Sequence, residues 1–174
     1  MPFIFKHSTD ALLPFLQETA QHIKNNLPEG IGEIMMHKSK FVLTELCTNG
    51  IKHAGVPQSS FEITVDAGYL TILRKDNGVP FNLEPKQKEQ QLLKSETRSD
   101  VTLAEDDINR LIMQRINNQT VCFFVEEVPA LGKKANPTLV EHFGFIIICR
   151  SCSSFTYSRL PSGENVFSVS IPLT

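Results

Sequence analysis

The sequence predicts an α+β domain: a two-layer α/β sandwich with helices packed on one face of a mixed, mostly antiparallel sheet. Three observations carry this expectation. Two long segments before residue 55 repeat their apolar residues at helical spacing. Shorter segments alternate apolar and polar residues, in pairs joined by tight turns, as β-hairpins do. Helical and hairpin segments are interleaved along the chain, which favours helices segregated to one face of an antiparallel sheet.

Residues 3–5 begin a short strand. Ser8, Thr9 or Asp10 can cap the helix that follows and runs towards Asn26. Its apolar residues Leu12, Leu13, Leu16, Ala20 and Ile23 recur at helical spacing, and Pro28, Gly30 and Gly32 break it. A second helix is expected over 33–54, with Val42, Leu43, Leu46, Cys47, Ile51 and Ala54 on its apolar face and Gly55 and Pro57 ending it. Residues 61–65 and 69–74 alternate on either side of an Asp66-Ala67-Gly68 turn and predict a hairpin. Residues 84–99 are polar and charged, and predict a mobile loop or a loose helix. Ile108, Leu111, Ile112 and Ile116 predict a helix over 106–116, residues 121–125 a strand, and residues 129–137 a loop. A last helix is expected over 138–152, then a hairpin of 155–160 and 166–171 around a Pro-Ser-Gly-Glu-Asn turn. The expected organisation is one domain over 1–174, with a variable lid or insertion at about 82–137.

A net charge of −2 gives no electrostatic case for direct nucleic-acid binding, which would favour a basic stripe. No segment approaches the roughly 20 apolar residues of a membrane helix, and the first residues lack the pattern of a signal peptide. The expected location is cytoplasmic, away from membranes. Cys149 and Cys152 form a C-x-x-C pair, but no second ligand pair accompanies it, so reduced, partly buried thiols are expected in place of zinc.

Two motifs carry chemistry. Glu45, Asn49 and His53 fall at i, i+4 and i+8 of the second helix, forming one polar line beside its apolar face. Burying a carboxylate and a carboxamide there is costly unless a metal, a water network or a ligand pairs with them. A magnesium ion accepts such sparse support, because it prefers oxygen ligands and keeps several waters. A solvated polar helix face gives the same spacing. The second motif is Asp76-Asn77-Gly78 at a strand end. Its aspartate can accept a hydrogen bond from an amino group, and its glycine permits close backbone approach. A plain turn gives this motif as well.

Taken in order, the two motifs are more specific. Leu43-Thr-Glu45-Leu-Cys-Thr-Asn49-Gly-Ile-Lys52-His53-Ala54 resembles the N box of GHKL (Bergerat-fold) histidine-kinase-like ATPases. Asp76-Asn-Gly78-Val-Pro-Phe81 resembles their first glycine box, and the hairpin between sits where the family has it. His142-Phe-Gly144-Phe resembles the second glycine box, leading into a helix and a final hairpin. The closest branch is the anti-sigma-factor serine/threonine kinases. The resemblance implies ATP or ADP with Mg²⁺ as cofactors, Glu45 as general base and Asn49 as the magnesium ligand. It implies that Asp76 binds adenine and Gly78 lets the base approach. Gly144 would let the phosphates meet the start of the last helix. Lys52 and His53 would approach the phosphates or only solvate the helix, and Ser168 or Ser170 would assist adenine binding from the last strand. His142 stands where the family commonly has glycine, and Phe145 where it has leucine. None of His7, His22, His37 and His142 has the context of an autophosphorylated histidine.

Three expectations follow. The first is a serine/threonine kinase in signal transduction that phosphorylates a small antagonist protein. The second is a nucleotide-binding module, weak or inactive in catalysis, that sequesters a regulatory partner such as a sigma-like factor. The third is a structural α+β domain with coincidental motifs. Homodimerisation stays open.

Overall fold

The computed structural model describes residues 2–81, 100–105, 108–128 and 139–173. In chain order they form β1 (Phe3–Lys6), α1 (Thr9–Asn26), α2 (Glu33–His53), β2 (Gln58–Asp66), β3 (Tyr69–Asp76), β4 (Asp100–Glu105), β5 (Asn109–Arg115), β6 (Thr120–Glu127), α3 (Leu139–Ser151), β7 (Ser154–Arg159) and β8 (Asn165–Pro172). The eight strands form one sheet in the order β1-β2-β3-β8-β7-β6-β5-β4. Every pairing described is antiparallel, so the expected α+β sandwich is present and its sheet has no parallel pair among these strands.

The sheet consists of two meanders joined at a seam. One climbs from the β1 edge to β3, and the other returns from the β4 edge to β8. Only β3 and β8 join them, with Arg74 opposite Phe167 and Asp76 opposite Asn165. Strand alternation then decides what faces the helices. Leu70, Ile72, Arg74 and Asp76 of β3 are buried, as are Asn165, Phe167, Val169 and Ile171 of β8. The intervening residues, Ser168 and Ser170 among them, take the other face.

Helices α1, α2 and α3 form where the sequence predicts them. Ser8 caps α1, its Oγ accepting the Ala11 N–H at 3.3 Å. Ile23 from α1, Val42, Leu43 and Leu46 from α2, and Ile148 from α3 meet Phe61, Ile72, Phe155 and Val169 of the sheet in one hydrophobic cluster. Among the described residues, no helix is long and apolar enough to cross a membrane.

One expectation is overturned. Residues 109–115 form a strand, not part of a helix, paired along both sides with β4 and β6. Ile108 and Ile116, which completed the apparent helical stripe, are exposed, while the consecutive Leu111, Ile112 and Met113 are buried. Sheet pairing that buries successive residues on both faces overrides the 3.6-residue spacing, and β-branched isoleucines suit a strand. Strand β4 was not anticipated. The mobile loop or loose helix expected at 84–99 and the loop expected at 129–137 lie outside the described residues.

Candidate functional site

A cleft of about 820 Å³ opens above the β3–β8 seam, between the C-terminal half of α2 and α3. That volume is within the range of small-molecule and cofactor sites. Helix α2 contributes Glu45, Asn49, Lys52 and His53, and the strand ends contribute Arg74, Asp76, Asn165 and Phe167. Phe143, Gly144 and Phe145 line it from α3. The structure therefore brings Glu45, Asn49 and His53, the strand-end Asp76 and the distant Gly144 to one cavity.

The floor is a connected polar network. Asp76 is 5% exposed. Its Oδ2 accepts from Arg74 Nη2 at 2.6 Å. Its Oδ1 accepts from the Gly78 N–H at 2.9 Å and from Asn165 Nδ2 at 2.8 Å. The Asn165 amide is oriented by its neighbours: Oδ1 accepts from Tyr157 Oη at 2.8 Å and from Arg159 Nη1 at 2.7 Å, which leaves Nδ2 to donate. Arg74, 3% exposed, also donates from Nε to Ser59 Oγ at 3.1 Å, and its guanidinium lies 5.2 Å from the Phe167 ring centroid. Burial lowers its pKa, and Asp76 opposes that shift.

His7 continues this network behind the floor. Its Nδ1 lies 2.6 Å from the Val56 carbonyl, which can only accept, so Nδ1 carries the proton. Ser59 then donates its hydroxyl to His7 Nε2 at 2.6 Å while accepting from Arg74. Protonating His7 would take away the acceptor of Ser59 and add a cation near Arg74. Burial, with Arg74 adding to it, depresses the His7 pKa; the Val56 hydrogen bond opposes both.

Gly78 has a packing reason to be glycine. A Cβ there would fall on the Ala54 carbonyl at the C-terminus of α2, whose oxygen accepts the Val79 N–H at 2.8 Å. This contact locks the end of β3 to the helix that carries Glu45 and Asn49.

The α2 side of the cleft differs in kind. Asn49 Nδ2 is buried with no hydrogen-bond partner among the described residues. Glu45 is half-buried one turn away; burial raises its carboxyl above the usual range, and Lys52 pulls it partly back. Lys52 and His53 are exposed at the cleft mouth.

Gly144 is not at the start of the last helix. Helix α3 begins at Leu139, so Gly144 lies in its interior, where its backbone N–H belongs to the helix and is not free for phosphate. Its missing Cβ instead makes room for the Glu45 carboxylate, which occupies that position. Phe145 is buried and stacks with Phe81 at 5.6 Å and 23°, forming an apolar wall. Ser168 and Ser170 do not reach the cleft, because alternation turns them to the other face of β8; Asn165 and Phe167 of the same strand line it.

Arg74, Asn165 and Phe167 were not anticipated. A period-of-two count back from Asp76 puts Arg74 on its face, and the hairpin register puts Asn165 beside it, so the signal for both was present. All four cysteines are free thiols, and burial pushes Cys47 up to about 12 and Cys152 to about 11. No cluster of three potential metal-ligating His, Cys, Asp or Glu side chains occurs among the described residues.

Neither a protein-family model nor a curated protein matches this chain.

Proposed function

We propose that this protein binds an adenine nucleotide, ATP or ADP with Mg²⁺, in the cleft between α2 and α3, and acts as a serine/threonine kinase of the anti-sigma-factor type. The observation that carries the reading is the buried, unpartnered amide of Asn49, set one helical turn from Glu45 in a cleft floored by Asp76. An amide nitrogen left unpaired in a buried site costs free energy, and a ligand that supplies its partner recovers it. The nitrogen and oxygen of such an amide have nearly the same shape, so the side chain suits a phosphate oxygen in one orientation and a cation in the other. A magnesium ion would supply charge neutralisation at the phosphates.

The chain's own residues would divide the remaining work. Asp76 meets the base at the floor, and Phe81 and Phe145 give it an apolar wall. Lys52 at the mouth supplies positive charge towards the phosphates. Glu45 accepts the proton of a serine or threonine hydroxyl from a small partner protein; its raised pKa makes its carboxylate a better base than an exposed one.

One observation favours the second reading, a nucleotide-binding module that sequesters a regulatory protein without turnover. The Glu45 carboxylate packs against Gly144 of α3, which restricts the approach of a hydroxyl.

Calorimetric titration with ATP and ADP, with and without Mg²⁺, tests the binding. It should show binding by the wild type, weakened binding by Asp76→Asn, and loss of the Mg²⁺ dependence in Asn49→Ala. Absence of binding at millimolar nucleotide would refute the reading. Transfer of labelled γ-phosphoryl to a partner protein, lost in Glu45→Gln with binding retained, separates the kinase from the module.

A further inference from the structure

Arg74 is a charged side chain set into the floor of the cleft, 3% exposed yet lining the cavity. Its hydrogen-bond capacity is not exhausted. Nε donates to Ser59 and Nη2 to Asp76, while Nη1 has no partner among the described residues. The acceptor side is also nearly closed. A carboxylate offers about four lone-pair positions. Those of Asp76 Oδ1 are taken by Gly78 and Asn165, and one on Oδ2 by Arg74, which leaves a single position on Oδ2. The pair thus presents one acceptor beside one group of N–H donors. A ligand edge that satisfies both must carry an N–H next to a ring acceptor.

We propose that Arg74 is a specificity-determining residue of this cleft: Nη1 donates to a ring nitrogen of the bound base while Asp76 Oδ2 accepts from the adjacent exocyclic amine. The inference rests on the nucleotide-binding reading and adds to it a second reader of the base. In adenine the amine is flanked by N1 and N7, and either ring nitrogen supplies the acceptor. Arg74 is already fixed for this task. Ser59 anchors Nε, with His7 behind Ser59, Asp76 anchors Nη2, and Phe167 lies beside the guanidinium. Such fixing lowers the ordering cost of the contact.

The test is titration of the wild-type protein with ATP, 1-deaza-ATP and 7-deaza-ATP. A hydrogen bond from a charged donor is worth roughly tenfold or more in affinity. One deaza analogue should therefore bind about tenfold or more weakly than ATP, and that deficit should vanish in Arg74→Met shown by its melting curve to be folded. If Arg74→Met does not fold, Ser59→Ala, which removes the second anchor of Arg74, should shrink the deficit. Equal binding of all three nucleotides by the wild type overturns the proposal while leaving nucleotide binding intact. So does a deficit that persists undiminished in the folded variant. Failure of ATP itself to bind overturns both.

Discussion

The floor and the α2 wall of the cleft are both polar, yet they are built on opposite principles. On the floor, the Asn165 amide and all but one acceptor position of Asp76 are engaged, and Arg74, Tyr157 and Arg159 brace them. On the wall, Asn49 keeps a buried nitrogen without a partner, and Glu45 carries a raised pKa caused by burial. A satisfied buried network fixes one arrangement, whereas an unsatisfied group in a cleft stores a cost that a ligand can relieve. The floor groups therefore hold the fold whether or not the cleft is filled, whereas the Asn49 amide can be satisfied only by what fills it. The floor holds the seam between the two meanders while keeping one acceptor position and one donor group open to the cleft, whereas the wall leaves a buried amide nitrogen unpaired.

The largest effect should come from breaking the floor. Arg74→Met leaves the buried Asp76 carboxylate without its cation, which should cost about 3–5 kcal/mol of stability, read as a shift of the urea midpoint. A loss below about 1 kcal/mol would place Arg74 outside the structural core of the seam. Asn49→Leu sharpens the contrast from the other side. It removes an unpaired buried amide, so the ligand-free protein should gain about 1 kcal/mol while nucleotide affinity falls. A destabilisation as large as that of Arg74→Met would remove the distinction between floor and wall.

The two regions should also respond to pH with opposite signs, and more weakly. His7, behind the floor, has a folded pKa below its ordinary 6.5, so the unfolded chain binds the proton more tightly. Its contribution is present above about pH 6.5 and is lost as pH falls through the folded value. Glu45 has a folded pKa above its ordinary 4.5. Its contribution is therefore favourable below about pH 4.5 and is lost as pH rises through the folded value. Denaturation of the wild type beside His7→Gln and Glu45→Gln between pH 4 and 8 reads both. His7→Gln should flatten the acid side of the profile. Glu45→Gln should gain on the wild type towards neutral pH. Matching slopes in all three proteins would contradict both assignments.

The parts of this arrangement legible in the sequence are those set by local periodicity. The line Glu45, Asn49 and His53 needs only a helix to point one way, and all three residues line the cleft. The hairpins at β2–β3 and β7–β8 needed only alternation and turn residues. The floor was less legible because its partners are distant in sequence: Asn165 reaches Asp76 across 89 positions, and Arg159 reaches the Gly78 carbonyl across 81. Asn165 read as the end of a turn, and only the β3–β8 register turns it towards Asp76. The same register explains why Ser168 and Ser170 miss the cleft. Residues 109–115 misled for a related reason, since their neighbours in the sheet, not their spacing, decide their conformation. Gly144 read as the entrance to a helix, but α3 starts a turn earlier than a glycine-box alignment implies.

The most direct test of the account is the side-chain amide resonance of Asn49, assigned by its loss in Asn49→Ala, followed by nuclear magnetic resonance during titration with ATP and Mg²⁺. This NH₂ pair should shift in step with saturation of the cleft while the Asn165 pair, held by Asp76 and the carbonyls of Gly78 and Val79, moves much less. An Asn49 amide that stays in place while nucleotide saturates the protein would contradict it.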